Sequence, residues 1–224
     1  MPALRDDISD LIETLRPLLR KAAEKDGGRL PPERSMAELL DVPRRRLRLA
    51  LDELQHQGAV FRRHGQGTFV TPAPHPDKDR HRLLAGRVSL DQLMDVRLQL
   101  EPRLAQLAAI HADRDDLVQL EALMRRTREA RDPAEYDRAD EVFHYRIAEL
   151  SQNPLFLEIY DLVRGMRREA GWRERRVKTN VPEMIGELGA QHQTIFEAIA
   201  SNDPEAAGDA VRRHMIFVAS AVAT

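Results

Sequence analysis

"LPPERSMAELLDVPRRRLRLALDELQHQGAVFRRHGQGTFV", residues 30 to 70, decides how the first third of this chain folds. "RLPPE" opens a helix with Pro32 or Glu33 in its first turn, where the amide donor that proline lacks is not needed. Met36, Leu39 and Leu40 supply the buried side of that helix. "DVPR" is a short break. Leu47, Ala50, Leu51 and Leu54 then recur at helical spacing as the inner stripe of the next helix, which Gly58 closes as a C-terminal cap. "AVFRR", "HGQG" and "TFV" read as strand, glycine turn and strand. A further helix, over about residues 6 to 24, comes first and stops before "DGG". Three helices followed by a β-hairpin is the order of a winged helix-turn-helix.

The outward side of the third helix is basic. Arg44, Arg45 and Arg48 occupy its solvent side, and Arg46 borders them. Guanidiniums at a helix N-terminus suit phosphates, and they suit guanine edges, which arginine grips with two parallel hydrogen bonds. The hairpin adds Arg62, Arg63 and His64, while Gly65 and Gly67 let its backbone turn tightly or approach a sugar-phosphate chain. Charge alone favours a solvated face, because exposed arginine-rich faces are common. The order of the elements favours DNA.

Working outward, "TPAPHP" at residues 71 to 76 has three prolines in six positions, which neither a helix nor a central strand accepts. The expected domains are residues 1–71, a linker over 72–88, and a second domain over 89–224. In the second domain Leu90, Leu93, Val96, Leu100, Leu104 and Leu107 recur at helical steps, with Ser89 and Gln92 as a capping box. The same periodicity returns at about 114–130, 134–151, 154–175, 182–201 and 203–222. "RDPAEY", "SQNPLF", "NVPEM" and "SNDPEA" place proline at or near a first turn. The expected fold is mainly α: a winged helix-turn-helix followed by an all-helical antiparallel bundle of about six helices.

The totals narrow the function. The chain has 224 residues, 42% hydrophobic and 4% aromatic, which is enough for two domains. With no cysteine, disulfides and thiolate metal sites are excluded. The net charge of −2 hides an asymmetry: residues 1–76 hold 13 Lys+Arg against 11 Asp+Glu, and the remainder 22 against 26. The N-terminus, "MPALRDDISDLIETL", is charged throughout and has no signal core, and nothing approaches the roughly 18 unbroken apolar residues of a membrane span. The expected location is the cytoplasm.

"ADEVFHYRIAEL", residues 139 to 150, puts Asp140 and His144 four residues apart, on a side of the helix that Phe143, Ile147 and Leu150 mark as inward. Buried ionisable groups are expensive unless paired or metal-bound. The pair is therefore either an internal hydrogen bond or part of a metal site. His192, in "ELGAQHQTIFEAI", and His214, in "AAGDAVRRHMIFV", have apolar neighbours in two other helices. Three imidazoles and one carboxylate converging in a bundle hold a divalent metal and leave positions open. His56, His64, His75, His81 and His111 read as surface or wing residues.

Residues 30 to 70 resemble the DNA-binding module of GntR-type transcription regulators, whose wording is an L-P-x-E-R opening, a G-V-S-R-x-x-V-R-x-A-L helix and an R-x-G-x-G-T-F-V wing. The resemblance implies DNA contacts for Arg34, Arg44 and Arg48, with Arg45 and Arg46 as neighbours and His64 and Gly65 at the wing tip. Pro43 replaces the usual Ser or Thr, Asp41 the usual turn glycine, and Arg45 and Arg46 small hydroxyl residues. The two extra arginines raise nonspecific phosphate affinity and its dependence on salt.

Residues 89 to 221 resemble the all-helical effector domain of the FadR branch of these regulators, the FCD domain, through "DVRLQLEPRLAQLAA", "DEVFHYRIAELSQNPLF", "AQHQTIFEAIASNDPEAA" and "RRHMIF". This implies a divalent metal, commonly zinc or nickel in relatives, on Asp140, His144, His192 and His214, and a small carboxylate effector on that metal. It also puts Arg97 at the family's R-x-x-x-E position, where it either contacts the effector or simply pairs with Glu101. "RGMRREAGWRERRVK" reads as a basic solvated face, with Trp172 as a pocket wall.

The expected protein is a homodimeric, ligand-responsive transcription regulator, a repressor by analogy, which binds a two-fold symmetric operator and has no enzymatic turnover. The competing expectation is a metal-dependent enzyme on a helical bundle. It is weakened by the lack of an HExxH glutamate or another motif-based general base near the ligands.

Overall fold

The first helix, α1 (Ala3–Ala23), turns Leu11, Ile12, Leu15 and Ala22 inward, toward Met36, Ala37, Leu47, Ala50, Leu51 and Leu54. The computed structural model describes residues 3–23, 28–63, 67–70, 84–167 and 182–222. The chain divides into two units, Met1–Ala73 and Pro74–Thr224. The division falls inside "TPAPHP", all of which lies outside the described residues.

In the first unit α2 (Glu33–Leu39) and α3 (Arg44–His56) follow α1, and α1 and α2 each pack against α3. Asp41 has a φ of 50°, so this position adopts the left-handed turn that explains glycine as the usual occupant. Asp tolerates that conformation better than most residues. Pro43 takes the N-cap position of α3 and provides no side-chain cap. Its carbonyl still accepts from the amides of Arg46 and Leu47. Gly58, with a φ of 63°, closes α3 as its spacing predicts.

The wing consists of β1 (Phe61–Arg63) and β2 (Gly67–Phe69), paired antiparallel with Phe61 opposite Phe69 and Arg62 opposite Thr68. The segment before α2 joins it: Arg29 bridges Phe69, the Leu30 amide donates to Thr68, and the Val70 amide donates to Gly28. The helical reading of "RLPPE" does not anticipate this third edge. Between its prolines and "DGG" the sequence is too short to show a strand period.

The second unit is helical throughout its described residues: α4 (Leu90–His111), α5 (Arg114–Glu129), α6 (Pro133–Leu150), α7 (Pro154–Arg167), α8 (Pro182–Ala200) and α9 (Pro204–Val222). Ser89 and Gln92 form the expected capping box on α4, and Asp113 and Asp116 form another on α5. Asp132 caps α6 with Pro133 behind it. The α4 and α9 helices pack most extensively, α8 lies against α5 and α9, and α6 lies against α5, α4 and α7. Gly208 makes room for the α4–α9 contact, since a Cβ there would sit 2.7 Å from Gln106 Nε2 and 2.9 Å from its Cγ. Each of the six helices sends a polar side chain into this otherwise apolar interior. Among the described residues no helix is long and apolar enough to cross a membrane.

Candidate metal centre and nucleic-acid face

On the first unit, Arg44, Arg45 and Arg48 are exposed on α3 and Arg46 is half-buried at its border. Arg34, with 80% of its side chain exposed, pairs with Glu38 at 3.0 Å. Arg34 and Arg44 also flank one depression, together with Glu38, Asp41 and Pro43. Arg48 donates to Glu33 at 2.8 Å. This bond and the charge of Glu33 raise the Arg48 pKa further above its ordinary value. Arg62, which the sequence assigns to the wing's DNA-facing charge, pairs instead with Asp52 of α3 and approaches Glu33 at 3.8 Å. It braces the hairpin against the helix. His64, Gly65, His75, His81 and Trp172 lie outside the described residues, as do the Arg63 side chain and most of "RGMRREAGWRERRVK". His56 and His111 are exposed, and His111 Nδ1 lies 3.1 Å from the Ser151 carbonyl.

In the second unit Asp140 and His144 stand one turn apart on α6, His192 on α8 and His214 on α9, all buried. One potential ligand atom from each lies within 4.8 Å of all the others, a grouping that could hold a metal ion. His144 Nε2 is 3.3 Å from His192 Nε2, and Asp140 Oδ1 is 3.4 Å from His192 Nε2 and 3.6 Å from His144 Nε2. Phe143 packs against His144 and His192, and the Tyr136 ring stacks parallel to His192.

Neighbouring side chains orient each imidazole. The Thr127 hydroxyl donates to the Met124 carbonyl at 2.7 Å, so at 3.0 Å from His192 Nδ1 it accepts, which places the ring proton on Nδ1. The Gln191 Oε1 lies 3.0 Å from His214 Nδ1 and has the same effect there. Glu101 Oε2 lies 3.2 Å from His144 Nδ1, and an ionised carboxylate can only accept. The hydroxyl, amide-oxygen and carboxylate neighbours each favour the tautomer with its proton on Nδ1, which leaves an Nε2 lone pair for the cluster.

Facing lone pairs at 3.3 Å repel one another unless a cation or a proton lies among them. His214 Nε2, fully buried, has no hydrogen-bond partner among the described residues. Burial lowers the His192 pKa, and burial with the neighbouring imidazoles holds that of His214 well below the ordinary histidine value. Burial works against ionisation of Asp140, but the charge of Arg167 beside it helps hold its pKa well below the usual carboxylate range. Three neutral nitrogens and one carboxylate are a donor set that suits a borderline divalent cation.

Arg97 is buried and donates to Glu101 Oε1 at 2.5 Å and to Met94 Sδ at 3.6 Å. The Arg97–Glu101 pair that helical spacing allows is therefore present, and it presents Glu101 to His144. Arg167 Nη2 donates to Asp140 Oδ2 at 2.9 Å. Sequence reasoning missed Thr127, Gln191 and Arg167. For Thr127 a signal exists: Leu120, Leu123, Met124 and Thr127 form one inward stripe, and a polar residue closes it.

A winged helix-turn-helix and a separate all-helical unit with a buried Asp/His cluster define a DNA-binding transcription regulator. The sequence profile of bacterial regulatory proteins, gntR family, matches residues 7–70, and that of the FCD domain matches residues 92–217. The chain belongs to the GntR family, in the branch that carries an FCD domain. It is 30% identical to the Uxu operon transcriptional regulator of Escherichia coli (strain K12) over 217 residues, 90% of this chain and 80% of the relative. It is 28% identical to the HTH-type transcriptional repressor NanR of Salmonella newport (strain SL254), over 98% of this chain and 86% of the relative. The E. coli McbR/YncC structure shares the fold, with a TM-score of 0.54 at 18% identity, covering 98% of this chain and 96% of that one. The family and these relatives are transcription regulators rather than enzymes, which removes the enzyme reading.

Proposed function

We propose that this regulator is a cytoplasmic homodimeric repressor whose operator affinity is set by a small organic acid bound at a divalent metal on Asp140, His144, His192 and His214. The observation that carries this reading is the convergence of three buried imidazoles and one buried carboxylate, with one possible ligand atom of each within 4.8 Å of all the others. Zinc and nickel match the nitrogen-rich donor set. Bound there, such a cation supplies a Lewis-acidic point that takes up one carboxylate of the effector. Thr127, Gln191 and Glu101 hold the rings in the required tautomer, and Arg97 is the further carboxylate contact that the family position implies. The domains are residues 1–71 and 89–224, with 72–88 as linker.

On the DNA side, α3 enters the major groove with Arg44 and Arg48 at base edges or phosphates. Arg34, Arg45 and Arg46 lie at the flanking backbone, and His64 and Gly65 at the wing tip. The word repressor in a relative's name supports the sign of the response. Effector and operator influence each other by the same factor, and a coupling of about 1 to 3 kcal/mol gives a useful response. The test is a thermal-shift screen of small organic acids on metal-loaded protein, followed by gel shifts with the hit. A ligand that raises the melting temperature and weakens operator binding supports the proposal. A ligand set that stabilises metal-free and metal-loaded protein alike refutes the role of the metal.

A further inference from the structure

Arg167 ends α7 with its guanidinium buried against the cluster, 7% exposed. Of its donors, Nη2 is bound to Asp140 Oδ2, whereas Nε and Nη1 are buried with no hydrogen-bond partner among the described residues. Tyr160, seven residues earlier and so on the same stripe of α7, is 1% exposed, and its hydroxyl also has no hydrogen-bond partner among the described residues. Buried donors left unmet are costly, so the Arg167 guanidinium, with the Tyr160 phenol on the same helix stripe, suits an acceptor.

Charge counting identifies the acceptor. Among the buried ionised groups around the imidazoles, Arg97 offsets Glu101 and Arg167 offsets Asp140. With the rings neutral, the set has no net charge. A divalent cation on the four ligands leaves two positive charges in an apolar interior, and a monoanion neutralises only half of them. Arginine's planar fork matches a carboxylate.

We infer that Arg167 and the Tyr160 hydroxyl form a second anion contact beside the metal ligands, and that the effector is therefore a small dicarboxylic acid. One of its carboxylates meets the metal and the other the Arg167 fork. This inference rests on the metal-and-carboxylate reading above.

The experiment is calorimetric titration of zinc-loaded protein with malonate and succinate, and with acetate and butyrate as the matched monoacids. Wild type is expected to bind at least one diacid about tenfold or more tighter than its monoacid, the scale of one charge-assisted bidentate contact. Arg167→Lys keeps the positive charge facing Asp140 but removes the fork. It is expected to retain one zinc per chain, to lose that preference, and to change monoacid binding less than about threefold. Tyr160→Phe, which removes a single oxygen, is expected to erode the preference partially, and it stands as the test if Arg167→Lys loses zinc. Equal binding of diacid and monoacid by wild type overturns the inference, as does a diacid preference that survives both substitutions in zinc-loaded protein. Absence of any carboxylate binding to loaded wild type overturns the effector reading beneath it, a separate outcome.

Discussion

One hydroxyl, that of Thr127, sets which nitrogen of His192 faces the cluster. Thr127→Val keeps the shape but removes the acceptor. Zinc affinity, measured by competition with a chromophoric chelator, is expected to fall about 10- to 100-fold, while Thr127→Ser stays near wild type. Protonation gives an independent check. The unfolded chain protonates His192 and His214 near 6.5, whereas the folded protein holds both below that value. The unfolded state therefore binds more protons, and stability falls as pH drops below about 6.5, by about 1.4 kcal/mol per pH unit for each imidazole. Thermal unfolding of metal-stripped protein between pH 8 and 5.5 checks this; a flat profile contradicts the burial of neutral rings. Sequence spacing placed Asp140 beside His144, and apolar flanks marked His192 and His214. The Nδ1 partners stayed hidden because Thr127, Gln191 and Glu101 meet their histidines across helix contacts that no single-helix period encodes.

At the scale of elements, α3 carries both the core stripe and the basic face. Its Arg48 is held by Glu33 and its Asp52 anchors Arg62 of the wing. Arg44→Ala and Arg48→Ala are each expected to weaken operator binding by about 1 to 3 kcal/mol in gel shifts without loss of zinc. Glu33→Gln is expected to leave the fold intact and reduce discrimination between operator and nonspecific DNA, since Arg48 then searches more orientations. Packing of α4 on α9 gives a prediction with a change of sign. Gly208→Ala is expected to destabilise the protein by about 1 kcal/mol or more through its clash with Gln106. In a Gln106→Ala background the same change is expected to stabilise by up to about 1 kcal/mol, the helix-propensity gain. Urea unfolding of the four variants measures both. The helices were legible because proline, aspartate and serine mark their starts, as with the Ser89 box and Pro133. The strand edge at Arg29 and the engagement of Arg62 were not, because both depend on partners ten or more residues away.

At the scale of the whole molecule, a DNA-binding unit precedes a helical unit whose buried Asp/His cluster could hold a metal ion. Composition and element order made the two-unit architecture readable. The electrostatics of the site, with Arg97 paired to Glu101 and Arg167 keeping unmet donors among the described residues, needed coordinates. The most direct test is elemental analysis of protein purified without a histidine tag and dialysed against excess zinc, in wild type and in His192→Ala and His214→Ala. One tightly held zinc per wild-type chain, lost or greatly weakened in both variants, is the predicted result. Full stoichiometry in both variants, or no retained metal in wild type, contradicts it.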